Sequence, residues 1–191
     1  MEIFMKINNR KDEIIKACIH MMCEKGAGLS SMQAIADEVG IAKGTLYFYF
    51  DSKETLYNEV FEYCHQLDVE ACNVGLECCE NALDKLCKRF ENIIEHAIQH
   101  PEEAKVENII SLYPMYQREH YKKDFTDAII VIMQEGMEQG EVKEMSDWLL
   151  TELYYGITMS MYMKFIHNPD LWNDEKIRKD CCQFIRDSFK K

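Results

Sequence analysis

Prolines and glycines are scarce, 3 and 8 in 191 residues. With so few helix breakers and 47% hydrophobic residues, the chain favours long helices around a packed core over a turn-rich β architecture. An apolar leader is missing as well: residues 1–10 mix Glu2, Lys6, Asn8 and Asn9, unlike a secretory signal. The longest apolar stretch, near 148–163, contains Glu152 and is too short to span a bilayer. These absences predict a cytoplasmic protein with no membrane partner. The length allows one large domain, or a small one fused to a larger.

Catalytic signatures are absent too. No G-x-G-x-x-G, P-loop, G-x-S-x-G or H-E-x-x-H run occurs, and the 6 histidines are scattered without partners at useful spacing. The expectation is that the chain is not an enzyme and has no catalytic residues or cofactor. Cysteine, by contrast, is plentiful. The nine residues stand at 18, 23, 64, 72, 78, 79, 87, 181 and 182. Without a leader they read as reduced, mostly buried thiols. Cys78-Cys79 and Cys181-Cys182 are adjacent pairs, not the C-x-x-C spacing that clamps zinc, so no metal site is expected.

The net charge of −12 looks wrong for a partner of nucleic acid, but it is unevenly spread. Residues 1–55 carry 7 Lys/Arg against 8 Asp/Glu, a net of −1, which leaves −11 for the remainder. The acid sits away from the N-terminal stretch. Phosphate binding counts local contacts rather than global charge.

What the chain does have is the run Ser31 to Lys53, SMQAIADEVGIAKGTLYFYFDSK. Ser31 can cap a helix by accepting from first-turn amides. Ile35, Ala36 and Val39 form a narrow apolar stripe, and Gly40 follows where a helix end needs a left-handed residue. The pattern restarts at once with Leu46, Tyr47 and Phe50. Two short helices joined by a few residues with a glycine make a helix-turn-helix.

Within that run, IADEVGIAKGTLYFYFDSKETL resembles the DNA-binding motif of the TetR (tetracycline-repressor-like) transcriptional regulators. IIKACIHMMCEKGAGLSSMQAIA fits the family's first helix more loosely, and beyond about Tyr57 only length and helical layout are similar. Departures include Met22 and Ala27 where aromatics are usual, Ala42 where serine is common, and Phe48 where histidine is frequent. The resulting expectation is an all-α chain. An N-terminal three-helix helix-turn-helix DNA-binding domain covers 1–51, with its motif at 31–50. A larger C-terminal helical domain for ligand binding and dimerisation covers 52–191.

Candidate DNA contacts follow from position and resemblance together. Lys43 and Thr45 lie in the first turn of the recognition helix, and Gly44 lets its backbone come close. Leu46, Phe50 and Tyr47 are assigned to the inner face, with Tyr47 also partly at the DNA. Phe48 offers apolar contact, for instance to a thymine methyl. The resemblance makes Tyr49 a phosphate contact. Lys53 joins a charge to the free amides of a helix start, and Gln33 could reach a phosphate.

Further helices are expected at 8–25, 52–75, 77–99, 102–113, 122–139, 146–167 and 174–189, with a bend or loop over 115–121 and a cap at Ser146 or Asp147. The 146–167 helix is apolar nearly all round, so it must be covered on more than one face. Paired with the last helix and their symmetry mates, it would form a four-helix homodimer interface, with Leu153, Ile157, Met161, Phe184 and Ile185 as candidates. The resemblance implies a small-molecule inducer that releases a double-stranded operator. Phe90, Ile109, Tyr113, Tyr116, Tyr155, Met159 and Met163 are candidate pocket residues. The competing reading is a helical dimeric interaction or redox-sensing module that does not bind an operator.

Overall fold

The computed structural model describes residues 2–26, 31–111 and 118–191. Of residues 2–9, 107–111, 118–122 and 124 it describes the backbone alone. The helices are α1 (Glu2–Lys25), α2 (Met32–Val39), α3 (Lys43–Tyr49), α4 (Lys53–Cys72), α5 (Ala82–Gln99), α6 (Pro101–Ser111), α7 (Arg118–Glu138), α8 (Asp147–His167) and α9 (Glu175–Phe189). Short 3₁₀ turns occupy Leu76–Cys78 and Pro169–Asn173. Among the described residues the only β feature is an isolated bridge between Val142 and Lys190. The all-α expectation is met.

The chain divides into two compact units, 1–67 with 102–117, and 68–101 with 118–191. This differs from a boundary at residue 51. Most of α4 and all of α6 but its first residue group with the helix-turn-helix, because local compactness ignores where a sequence motif stops.

In the first unit α1 supplies a wholly apolar side: Ile14, Ile15, Cys18, Ile19, Met21 and Met22 are buried. Ile35 and Ala36 of α2, Leu46 of α3, Phe50, and Leu56 and Val60 of α4 complete that core. Arg10 ties α1 to the end of α2 by donating to the Val39 carbonyl at 3.2 Å. His20 of α1 pairs with Glu102 of α6 at 2.9 Å, and the carboxylate raises the imidazole pKa. Lys105 Nζ donates to the Cys23 carbonyl at 2.9 Å.

The second unit is built on α5, whose neighbours are α7, α8 and α9. Asn81 starts α5: its side chain accepts from the Asp84 amide at 2.8 Å, and Glu141 accepts from the Ala82 amide at 2.9 Å. This capped start is why the expected helix at 77–99 is instead a 3₁₀ turn, a break, and α5. Leu86, Phe90 and Ile94 are buried along α5 with Ile129, Ile132 and Met133 of α7 and Leu150, Tyr154 and Phe165 of α8. The Tyr154 hydroxyl donates to the Leu86 carbonyl at 2.7 Å. Asp174 caps α9 by accepting from Lys176 and Ile177 amides. Ser146 makes no side-chain cap on α8, and Asp147 instead accepts from Gln134 at 2.8 Å.

Several placements correct the sequence reading. Phe90 is fully buried, with ring centroids 5.8 Å from Trp172 and 6.4 Å from Phe165, so it packs into the core of the unit. Ile185 is fully buried within its own subunit and cannot present a surface to a partner, because the apolar stripe of α9 turns toward α5. Met163 stands exposed on α8 rather than in an interior. The first helix begins at Glu2 rather than residue 8, and α7 takes in 118–121, which were expected to bend.

Gly136 marks the tightest approach among the glycines of the second unit. A Cβ there would sit 2.5 Å from Val142 Cγ2 and 2.7 Å from Ala82 Cβ. Overpacking of this kind costs about 1–3 kcal/mol, against about 1 kcal/mol gained from alanine's helix propensity. Gly136→Ala should therefore lower the urea unfolding midpoint. An unchanged or higher midpoint would show that Val142 yields freely.

Candidate nucleic-acid interface

The helix-turn-helix is set by two backbone devices. Ser31 Oγ accepts from the Ala34 amide at 3.1 Å and opens α2. Gly40 closes it at φ 70°, where a side chain would be strained. The Ile41 amide then donates back to the Ala36 carbonyl at 2.9 Å, turning the chain into α3. Ala42 gives α3 no side-chain cap.

Burial sorts the residues of α3. Leu46 is its one wholly buried member. Lys43, Gly44 and Thr45 are exposed together in the first turn, and a Cβ at Gly44 would meet nothing within 4 Å. Tyr47 is 43% exposed, which corrects its assignment to the inner face: it projects past the core that Leu46 and Phe50 fill. Phe48 is 76% exposed, an unusual position for a large apolar ring in a lone subunit. Its ring meets that of the half-buried Tyr49 edge-on at 5.4 Å. Lys43 Nζ lies 5.8 Å from the Tyr47 ring centroid, a cation–π distance that steadies the ammonium on the exposed face.

Lys53 is the first residue of α4. Ser52 Oγ accepts from the Thr55 amide at 3.0 Å, and Lys53 Nζ rests 5.0 Å from the Tyr57 ring centroid. Tyr57 was missed as a positioning residue, although the i,i+4 spacing from Lys53 signals it. Gln33 is exposed but spends its amide on Asp37 at 2.7 Å, within its own helix. Thus Lys43, Gly44, Thr45, Tyr47 and Phe48 form one exposed set, with Tyr49 at its edge, Lys53 on the next helix, and Gln33 held by a carboxylate.

The candidate ligand residues are less concentrated. Tyr155 and Met159 are half-buried on α8. Tyr113 and Tyr116 lie outside the described residues, as does the side chain of Ile109. One open cleft of about 300 Å³ in the second unit is lined by Leu76, Glu77, Lys85, Ala128, Val131, Ile132 and Glu135, none of them expected. Lys85 and Glu135 pair across it at 2.7 Å. Of the interface candidates, Leu153 and Phe184 are 42% and 54% exposed, and Ile157 and Met161 are half-buried. Trp148, also on α8, is 68% exposed. Among the described residues no helix is long and apolar enough to cross a membrane, and no cluster of His, Cys, Asp or Glu could hold a metal ion.

Comparison with known proteins places this geometry. The model of the bacterial regulatory proteins of the tetR family matches residues 14–60. The uncharacterized HTH-type transcriptional regulator YerO of Bacillus subtilis (strain 168) is 42% identical over 57 residues, 30% of this chain and 20% of YerO. IcaR of Staphylococcus aureus (strain Newman), the negative regulator of the biofilm operon icaADBC, is 39% identical over 54 residues, 28% of this chain. The chain thus spans less than a third of the length of either relative, 20% and 29%. A TetR family transcription regulator from Marinobacter aquaeolei VT8 has the same fold, with a TM-score of 0.79 at 14% identity over 98% of both chains. FadR of Bacillus subtilis, in complex with stearoyl-CoA, gives 0.78 at 20% identity over 91% of this chain and 96% of its own. Residues 14–60 thus carry the helix-turn-helix of the tetR family, and the chain as a whole shares the fold of solved TetR family regulators.

Proposed function

We propose that the protein is a ligand-responsive repressor that binds a palindromic operator as a homodimer and is released by a small molecule. The observation that carries this reading is the sorting of α3: Leu46 alone is buried, while Lys43, Thr45, Tyr47 and Phe48 face outward. Such a helix suits the major groove, with first-turn residues toward base edges. Lys53 stands at a helix N-terminus, where the amides and the dipole favour a phosphate. One short helix reads too few base pairs, so two copies spaced by about one DNA turn, ~34–36 Å, are required. Trp148, Leu153 and Phe184 supply exposed apolar surface for the second copy.

Release by a ligand needs a second site whose occupancy changes the spacing of the two reading helices. Tyr155 and Met159 on α8, with Ile109, Tyr113 and Tyr116, remain the candidate lining. The stearoyl-CoA held by FadR makes long acyl thioesters a reasonable first probe of this site.

The test is a mobility shift on the DNA upstream of the protein's own gene, followed by selection from a random DNA pool. A specific complex supports repression by operator binding. A folded dimer with no preferred sequence would favour the interaction module instead.

Contact residues should divide into two kinds. Tyr49→Phe and Lys53→Ala should weaken binding to every sequence alike, and Lys53→Ala should also lower the salt dependence by about one unit of slope. Thr45→Val and Phe48→Ala should instead change preference at single positions, by about 1–3 kcal/mol per base pair. Competition titrations with mutated operators separate the two. A uniform loss for Phe48→Ala would remove it from base reading. For the dimer, Leu153→Lys with Phe184→Lys should shift sedimentation from two subunits to one, and an unchanged dimer would place the interface elsewhere.

A further inference from the structure

Helices α5 and α9 pack against each other in the second unit, and two thiols meet in their seam. Cys87 of α5 is buried, and Cys182 of α9 is half-buried, so the pair lies near the surface end of the contact. Cys87 Sγ donates to the Cys182 carbonyl at 3.4 Å. On the far side, Cys182 Sγ donates to Glu91 Oε1 at 3.5 Å. Arg186, one turn beyond Cys182, is held by Asp84 and directs its charge at Cys87. A seam meant only for packing needs neither a base nor a guanidinium beside its sulfurs.

We infer that Cys87 and Cys182 form a hydroperoxide-oxidisable dithiol that closes to a disulfide joining α5 and α9. The inference stands without the proposed operator.

The surroundings divide the labour between the sulfurs. Cys182 beside it and the Arg186 guanidinium draw the Cys87 thiol below its ordinary pKa, against the opposing effect of burial. Cys182, beside Cys87, half-buried and faced by Glu91, keeps its proton. Cys87 is then the nucleophile and Cys182 the resolving thiol. Other cysteines lean the opposite way. Burial pushes Cys18 up to about 12 and Cys23 to about 11, and raises Cys79 and Cys181.

The chemistry balances with a hydroperoxide as the two-electron oxidant. The Cys87 thiolate attacks the terminal peroxide oxygen; the O–O bond breaks, Cys87 becomes a sulfenic acid, and the alkoxide or hydroxide leaves and takes up a proton. The Cys182 sulfur then attacks Cys87 sulfur as its own proton passes toward Glu91. The S–S bond forms, the S–O bond breaks, and the departing hydroxide is protonated to water. Two thiols and one hydroperoxide yield a disulfide, an alcohol (water for hydrogen peroxide) and water. The S–S bond of about 2.05 Å is shorter than a thiol hydrogen bond, so closure draws α9 toward α5.

Full-length protein is treated with hydrogen peroxide, capped with N-ethylmaleimide and digested with trypsin without reduction. The expected product is residues 86–88 joined to 180–186, and dithiothreitol should separate them. The joined peptide should survive Cys181→Ser and vanish in Cys182→Ser and Cys87→Ser, with circular dichroism verifying that each variant is folded. Persistence of the link in Cys182→Ser would overturn the assignment. So would oxidation of the exposed Cys78 while Cys87 and Cys182 both stay free to be capped. Should a serine variant fail to fold, the unaltered protein decides: Cys87 must lose its thiol faster than Cys18 by on the order of tenfold or more, since the thiolate is the reacting form. Equal rates would reject the inference.

Discussion

The burial of Leu46 is the constraint on which the reading head depends. A seven-residue helix has too few internal hydrogen bonds to persist alone in water, so α3 exists only because Leu46 and the adjoining Phe50 are taken into the core of α1, α2 and α4. One inward residue per helix has a functional corollary. The remaining side chains of α3 owe little to folding and are left to meet something else. That is why an acidic protein can hold a compact set of Lys43, Thr45 and Phe48 outward, on a stretch close to neutral.

The second unit is arranged on the opposite plan. Helix α5 is packed by α7, α8 and α9, and its polar groups are answered one by one: Asn81 and Glu141 at its first amides, Tyr154 on the Leu86 carbonyl, Asp84 with Arg186. Arg89 is buried too, donating to Asn73 and to the Phe125 carbonyl, while Asn92 holds the Cys72 and Val74 carbonyls. Those side chains stitch the irregular 72–76 stretch onto α5. A helix so fully engaged is the frame on which the rest of the unit is assembled.

Features set by neighbouring residues in the chain were legible before any fold was known. Ser31, Gly40, the apolar spacing of α2 and the missing cap at Ala42 all follow from local rules. Features that depend on which way a face turns were not. Tyr47 and Leu46 are adjacent and both apolar in pattern, yet only one fits the space beside Phe50. Phe90 and Ile185 look like surface-ready apolar residues in one dimension, and both are consumed by packing within the subunit. Trp148 shows the reverse, a large ring near a helix start that nothing in its own unit covers. Ser146 had the chemistry of a cap, but φ/ψ alone did not bring its hydroxyl to an amide.

The contact at Gly136 has a meaning beyond stability. Its missing side chain, the methyl of Ala82 and the branch of Val142 share one small volume contributed by three separate segments. None of the three can enlarge unless another shrinks. In a lineage of this protein they should drift as a linked trio, so that a harmful bulk at one is rescued by loss at a second. A genetic suppressor screen begun at position 136 would then lead directly to 82 and 142, two places that no single segment's sequence would connect.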